Sequence, residues 1–74
     1  MRSIHTPEYR FMLERLIGVR EAQGLTQRDV SRATSIPQPR LSRMETGERR
    51  IDVVELLKLA RYYGKPIRYF LPKD

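Results

Sequence analysis

Three helix-start signals, each closed by a downstream glycine, cut this chain into short segments, and no other feature constrains its fold as tightly. Thr6-Pro7-Glu8 combines a capping hydroxyl, a proline at the first helical position and an acid near the positive end of the helix dipole. Thr26 with Asp29 three residues on is a short-armed capping box, and Asp52 with Glu55 repeats the signal. Gly24, Gly47 and Gly64 stand where a left-handed residue readily ends a helix.

Between these marks the apolar residues keep helical spacing. Tyr9, Met12, Leu16 and Val19 recur at steps of three and four, so one face of a first helix running to about residue 23 is apolar. A second helix is expected over 27–34 and a third over 38–45, with Leu41 and Met44 inward and Gln38, Arg40, Ser42 and Arg43 left for solvent or a ligand. Only Ser35-Ile36-Pro37 separates them, which is the signature of a helix-turn-helix. Pro39 falls in the first helical turn, where backbone N–H groups have no intrahelical acceptor, so the helix survives it. Val53, Leu56, Leu57, Leu59, Ala60 and Tyr63 give a fourth, amphipathic helix stopping at Gly64. Lys65-Pro66 opens a fifth, short one, with Ile67, Phe70 and Leu71 apolar and Pro72 at its end. No strand-like alternation is left over, and the expected class is all-α with about five helices.

A chain of 74 residues predicts one domain and one core, spanning about residues 9–71, with residues 1–5 flexible. The absence of cysteine excludes a disulfide framework, a zinc ribbon and thiol catalysis. His5 has no partner at metal-ligand spacing and is expected to be solvent-exposed, so no metal site is assigned. No apolar run reaches the ~18 residues of a membrane span, and a cytoplasmic location without membrane contact is expected. The 15 Lys+Arg outnumber the 9 Asp+Glu, and twelve of the fifteen are arginine. The planar guanidinium favours bidentate contact with phosphates and base edges, which suggests nucleic acid without establishing it.

The ordered motifs GLTQ from Gly24, SIPQPRLSRMETGERR from Ser35 and DVVELLKLARYYG from Asp52 resemble the Cro/C1-type (XRE-like) helix-turn-helix family of transcriptional regulators. The resemblance covers about residues 9–71. It implies a compact five-helix bundle, the lambda-repressor-like DNA-binding domain, whose third helix lies in the major groove of double-stranded DNA while the second crosses the backbone. It places Gln27 as a phosphate-contacting residue at the start of the second helix, and Gln38 as the first readout position of the third. In some family members these two glutamines support each other. A glutamine amide can donate to adenine N7 and accept from N6, which suits Gln38 to readout.

Arg43, five residues after Gln38, is expected to point from the same face and to take a guanine edge or a phosphate. Arg40 lies between them, Ser42 shares the exposed set, and Pro39 can offer only an apolar contact such as a thymine methyl. Thr26, Gln27 and Arg28 at the second helix, and Thr46, Arg49 and Arg50 after the third, are the expected phosphate contacts. Arg32, at i+4 from Arg28, fits a phosphate contact or a solvated face. Arg20 and Glu45 match positions at which family members form an internal ion pair. Ser35 stands where the family usually has glycine, Ser31 where it has alanine and Thr34 where it has leucine.

Tyr62, Tyr63, Tyr69 and Phe70 gather aromatic surface near the end of the chain and suggest a homodimer interface, hence a palindromic operator with half-sites about 34 Å apart. No catalytic constellation or phosphate-binding loop is present in the sequence, so neither enzymatic activity nor a cofactor is expected. The expected function is a sequence-specific DNA-binding regulator, a dimeric repressor. The alternative is an antitoxin or regulatory module that binds a partner protein through its C-terminal aromatic face.

Overall fold

The computed structural model describes residues 6–73, and the expectations for residues 1–5, His5 included, lie outside that range. Helix α1 spans Pro7–Ala22, α2 Gln27–Thr34, α3 Gln38–Thr46 and α4 Val53–Tyr63. The expected fifth helix is a single 3-10 turn over Ile67–Phe70. Its window is bounded by Pro66 and Pro72, too short for α-helical bonds to accumulate, and the proline after Leu71 favours the extended backbone found there. No described helix is long and apolar enough to cross a membrane.

The helix starts follow the chemistry of their capping residues. Thr6 Oγ1 accepts from Tyr9 N at 3.2 Å. At α2 the box is reciprocal, with Asp29 N donating to Thr26 Oγ1 and Thr26 N donating to Asp29 Oδ2. Asp52 and Glu55 do the same for α4, at 2.8 and 3.0 Å. Helix α3 starts on Pro37 without a side-chain cap.

Met12, Leu13, Leu16 and Val19 of α1, Val30 of α2, Ile36 of the turn, Leu41 and Met44 of α3, and Leu56, Leu59, Ala60 and Tyr63 of α4 form one core. Phe70 closes this core with no exposed surface, which makes the 3-10 turn a plug rather than an appendage. Two apolar expectations fail at segment edges. Val53, at the first position of α4, is 69% exposed, and Leu71, carried outward by the extended backbone before Pro72, is 45% exposed.

Bonds between distant parts of the chain set how the helices lie. Ile51 N donates to the Tyr9 hydroxyl at 2.8 Å, tying the loop before α4 to the start of α1. Gln23 Nε2 donates to Tyr63 O at 2.9 Å, tying the end of α1 to the end of α4. Between α2 and α3, Ser31 Oγ donates to Ile36 O at 2.6 Å. Buried Thr34 is satisfied twice, donating to Val30 O and accepting from Ile36 N. Ser35 takes the left-handed conformation, φ 64°, that the short turn requires.

Candidate nucleic-acid interface

Helices α2 and α3 are held in register by one carboxylate. Glu45, buried at the end of α3, receives Arg20 Nε on Oε2 at 2.9 Å and Arg20 Nη2 on Oε1 at 3.0 Å. Arg20 Nη1 donates to Leu25 O at 3.0 Å, so one guanidinium joins α1, the segment before α2, and α3. Hydrogen bonding to Glu45 is the main reason the guanidinium holds its proton more tightly than a free arginine. On the same side of the core, burial pushes the Tyr63 hydroxyl well above its ordinary 10.0.

Gln27 belongs to this cluster. Its Nε2 donates to Glu45 Oε1 at 2.9 Å, and no hydrogen bond joins it to Gln38 among the described residues. The amide expected on a DNA phosphate is therefore engaged inside the domain. Gln27 and Gln38 nevertheless line one concavity with Arg20, Leu25, Thr26 and Arg28 at the amino end of α2. Gln27 and Arg28, the first two residues of α2, line this hollow, and the first backbone N–H groups of a helix have no intrahelical acceptor.

The face of α3 away from the core is a strip of short side chains edged by long ones. At about 100° per residue, Gln38 and Arg43 lie about 140° apart, so they do not share one direction as expected. Ser42, Thr46 and Pro39 fall between them. Gln38, Pro39, Arg43 and Thr46 are exposed and Ser42 is half-buried. Thr46 Oγ1 donates to Arg43 O at 3.1 Å and Arg49 N donates to the same carbonyl, which folds the following loop back on the helix end. Arg28, Arg32, Arg49 and Arg50 are also exposed, and Arg50 has an interaction of its own.

Arg40, with a side chain 40% exposed, stands at the border of the expected readout set. It lies on the edge of α3 nearest α4, with Nε buried and 3.2 Å from Glu55 Oε2. The alignment of a hydrogen bond is missing, so the contact is one of charge. Nothing in the local spacing of α3 signals it, because Glu55 already has an evident role in the capping signal of α4.

The C-terminal rings separate by burial. Tyr63 and Phe70, expected at a dimer interface, are 4% and 0% exposed and belong to the monomer core. Tyr69 is half-buried, edge-on to Phe70, with Arg15 Cζ 4.4 Å and Lys65 Nζ 4.8 Å from its ring centre. Arg15 also covers Phe11 at 4.8 Å. Of the four rings, Tyr62 is the most open to solvent, at 38%.

Residues 16–70 match the helix-turn-helix family. The chain belongs to the Cro/C1-type (XRE-like) helix-turn-helix family. Among solved structures it is similar to an XRE-family like protein from Pseudomonas syringae pv. tomato str. DC3000, with a TM-score of 0.80 and 32% identity over 93% of this chain and 86% of that one. It is also similar to the S. venezulae BldD DNA-binding domain, with a TM-score of 0.76 and 26% identity over 90% of this chain and all of the other. No curated protein sequence matches significantly. Within this helix-turn-helix domain, α2 and α3 are the paired helices, and Ser35 supplies their left-handed turn without a glycine.

Proposed function

We propose that this helix-turn-helix protein is a sequence-specific regulator of transcription that binds double-stranded DNA with α3 in the major groove. The observation that carries the reading is the strip of exposed Gln38, Pro39, Arg43 and Thr46 around half-buried Ser42, beside the concavity at the amino end of α2. Short side chains at the centre of the strip let the helix approach the base edges. Gln38 and Arg43 at its margins have the donors and acceptors to read adenine and guanine. The α2 amides, Thr26, Arg28, Thr46, Arg49 and Arg50 supply phosphate contacts that fix register. Gln27 acts through its backbone N–H, and through its side chain by steadying Glu45. The similarity to the BldD DNA-binding domain supports the same assignment.

The working unit is a pair of copies on a two-fold operator, acting as a cytoplasmic repressor by occupying the promoter. With principal extents of 30 × 24 × 21 Å, two domains centred about 34 Å apart on one face of DNA share little surface, because even the longest extent is shorter than that spacing. Tyr62 is the aromatic available for it. The alternative reading, docking of another protein on the C-terminal rings, has less support, since two of those rings are buried and Tyr69 is faced by cations.

Selection of random duplex DNA at physiological salt, with mass measured by light scattering in parallel, tests the proposal. An enriched palindrome with half-sites about one turn apart, bound by two copies, is the expected result. Recovery of no motif, with binding lost at moderate salt, would overturn sequence-specific recognition.

A further inference from the structure

From the contact between α3 and α4 we infer that Glu55 is a positioning residue that withholds Arg40 from DNA, confining readout by α3 to Gln38, Pro39, Ser42 and Arg43. The inference rests on the proposed placement of α3 in the major groove. Arg40 is the one arginine within α3 besides Arg43, and its position in sequence puts it among the readout candidates. A free guanidinium there would attach to any phosphate within reach and add affinity for every sequence alike.

Both oxygens of Glu55 are committed. Oε1 accepts from Asp52 N at 3.0 Å, completing the cap of α4, and Oε2 lies 3.2 Å from Arg40 Nε. The cap fixes where the carboxylate stands, so the charge facing Arg40 does not depend on a long, free side chain. The Glu55 side chain is 13% exposed, and Arg40, whose side chain is 40% exposed, has its Nε buried against it. Arg40 therefore starts from a place beside α4, and moving it to a phosphate would separate it from a shielded carboxylate. Glu55 is placed by the needs of its cap, and Arg40 comes to it.

Glu55→Gln isolates the effect, because glutamine can serve at the third position of a capping box while removing the charge. The measurement is the affinity for a random duplex as a function of salt, in the wild type, Glu55→Gln, Arg40→Gln and the double variant. Releasing Arg40 onto a phosphate steepens the slope of log Kobs against log salt by about 0.9. The expected pattern is a steeper slope in Glu55→Gln, no change in Arg40→Gln, and a return to the wild-type slope in the double variant.

A slope unchanged in Glu55→Gln, or lowered in Arg40→Gln alone, would overturn the inference. So would a Glu55→Gln effect that persists without Arg40, since that is the protein's overall field and not a released side chain. NMR of the Arg40 Nε–H group in the wild type gives a second readout that needs no variant to fold. Its resonance should stay in place when a duplex is added while the Arg43 resonance moves, and a shift of both overturns the inference. A wild type that binds no duplex defeats the functional reading itself, an outcome distinct from duplex binding with an unaltered slope.

Discussion

Glu45 shows how a single buried carboxylate can organise a surface it does not itself form. Its two oxygens take three donors, two from Arg20 and one from Gln27, and so fix α3 against α1 and the start of α2. Removing one partner leaves the other charge buried without compensation. Arg20→Ala is expected to cost about 3–5 kcal/mol in urea denaturation, and exchanging both residues for apolar ones of similar volume should recover much of the loss. Asp29 acts at the surface and reports on pH. Hydrogen bonds from Thr26 hold its carboxyl below the ordinary 3.8. Its contribution is therefore complete above pH 3.8 and is lost as the pH falls through the lower folded-state value. The difference in Tm between the wild type and Asp29→Asn should be level at neutral pH and shrink below that point.

Among the helices, two positions carry avoidable local cost. Gly18 lies inside α1, exposed and outside the left-handed region, and a Cβ there would meet nothing within 4 Å. Gly18→Ala should stabilise the domain by about 1 kcal/mol, seen as a higher Tm. Ser35 pays the opposite kind of cost, a side chain held at φ 64° between α2 and α3. Ser35→Gly relieves about 1–2 kcal/mol of steric strain and loses about 0.5–1 kcal/mol to the freer unfolded chain. A net gain near 0.5–1 kcal/mol is expected from denaturant titration. The same geometry shows why the turn tolerates serine: the neighbouring hydroxyls of Ser31 and Thr34 take up Ile36 O and N, anchoring the turn from both sides.

For the whole molecule, the decisive fact is that the core closes within one chain. Phe70 and Tyr63, the residues expected at a dimer contact, are instead the lid and flank of that core. Folding is then expected to need no second copy of the chain. The Tm should not move over about a hundredfold range of protein concentration, whereas an obligate dimer would melt higher as concentration rises. At the same scale, Arg43→Ala should relax selectivity at one base position, whereas Arg28→Ala should weaken specific and random DNA alike. Duplex selection on each variant separates these effects.

The amino-acid sequence by itself determined the four α-helices and their order, though not that the expected fifth is a 3-10 turn, because caps at Thr6, Thr26 and Asp52 and apolar steps of three and four act within a few residues of chain. It carried the α2–α3 pairing for the same reason, down to the strained turn at Ser35. Only the tertiary structure decided which polar side chains remain available at the surface. Gln27 turns to Glu45, Arg40 to Glu55, and Tyr69 to Arg15 and Lys65, each meeting a partner on another element or beyond its own helix. Local spacing states which way a side chain leaves its helix. Whether an opposite charge or an aromatic ring waits there depends on how the helices pack.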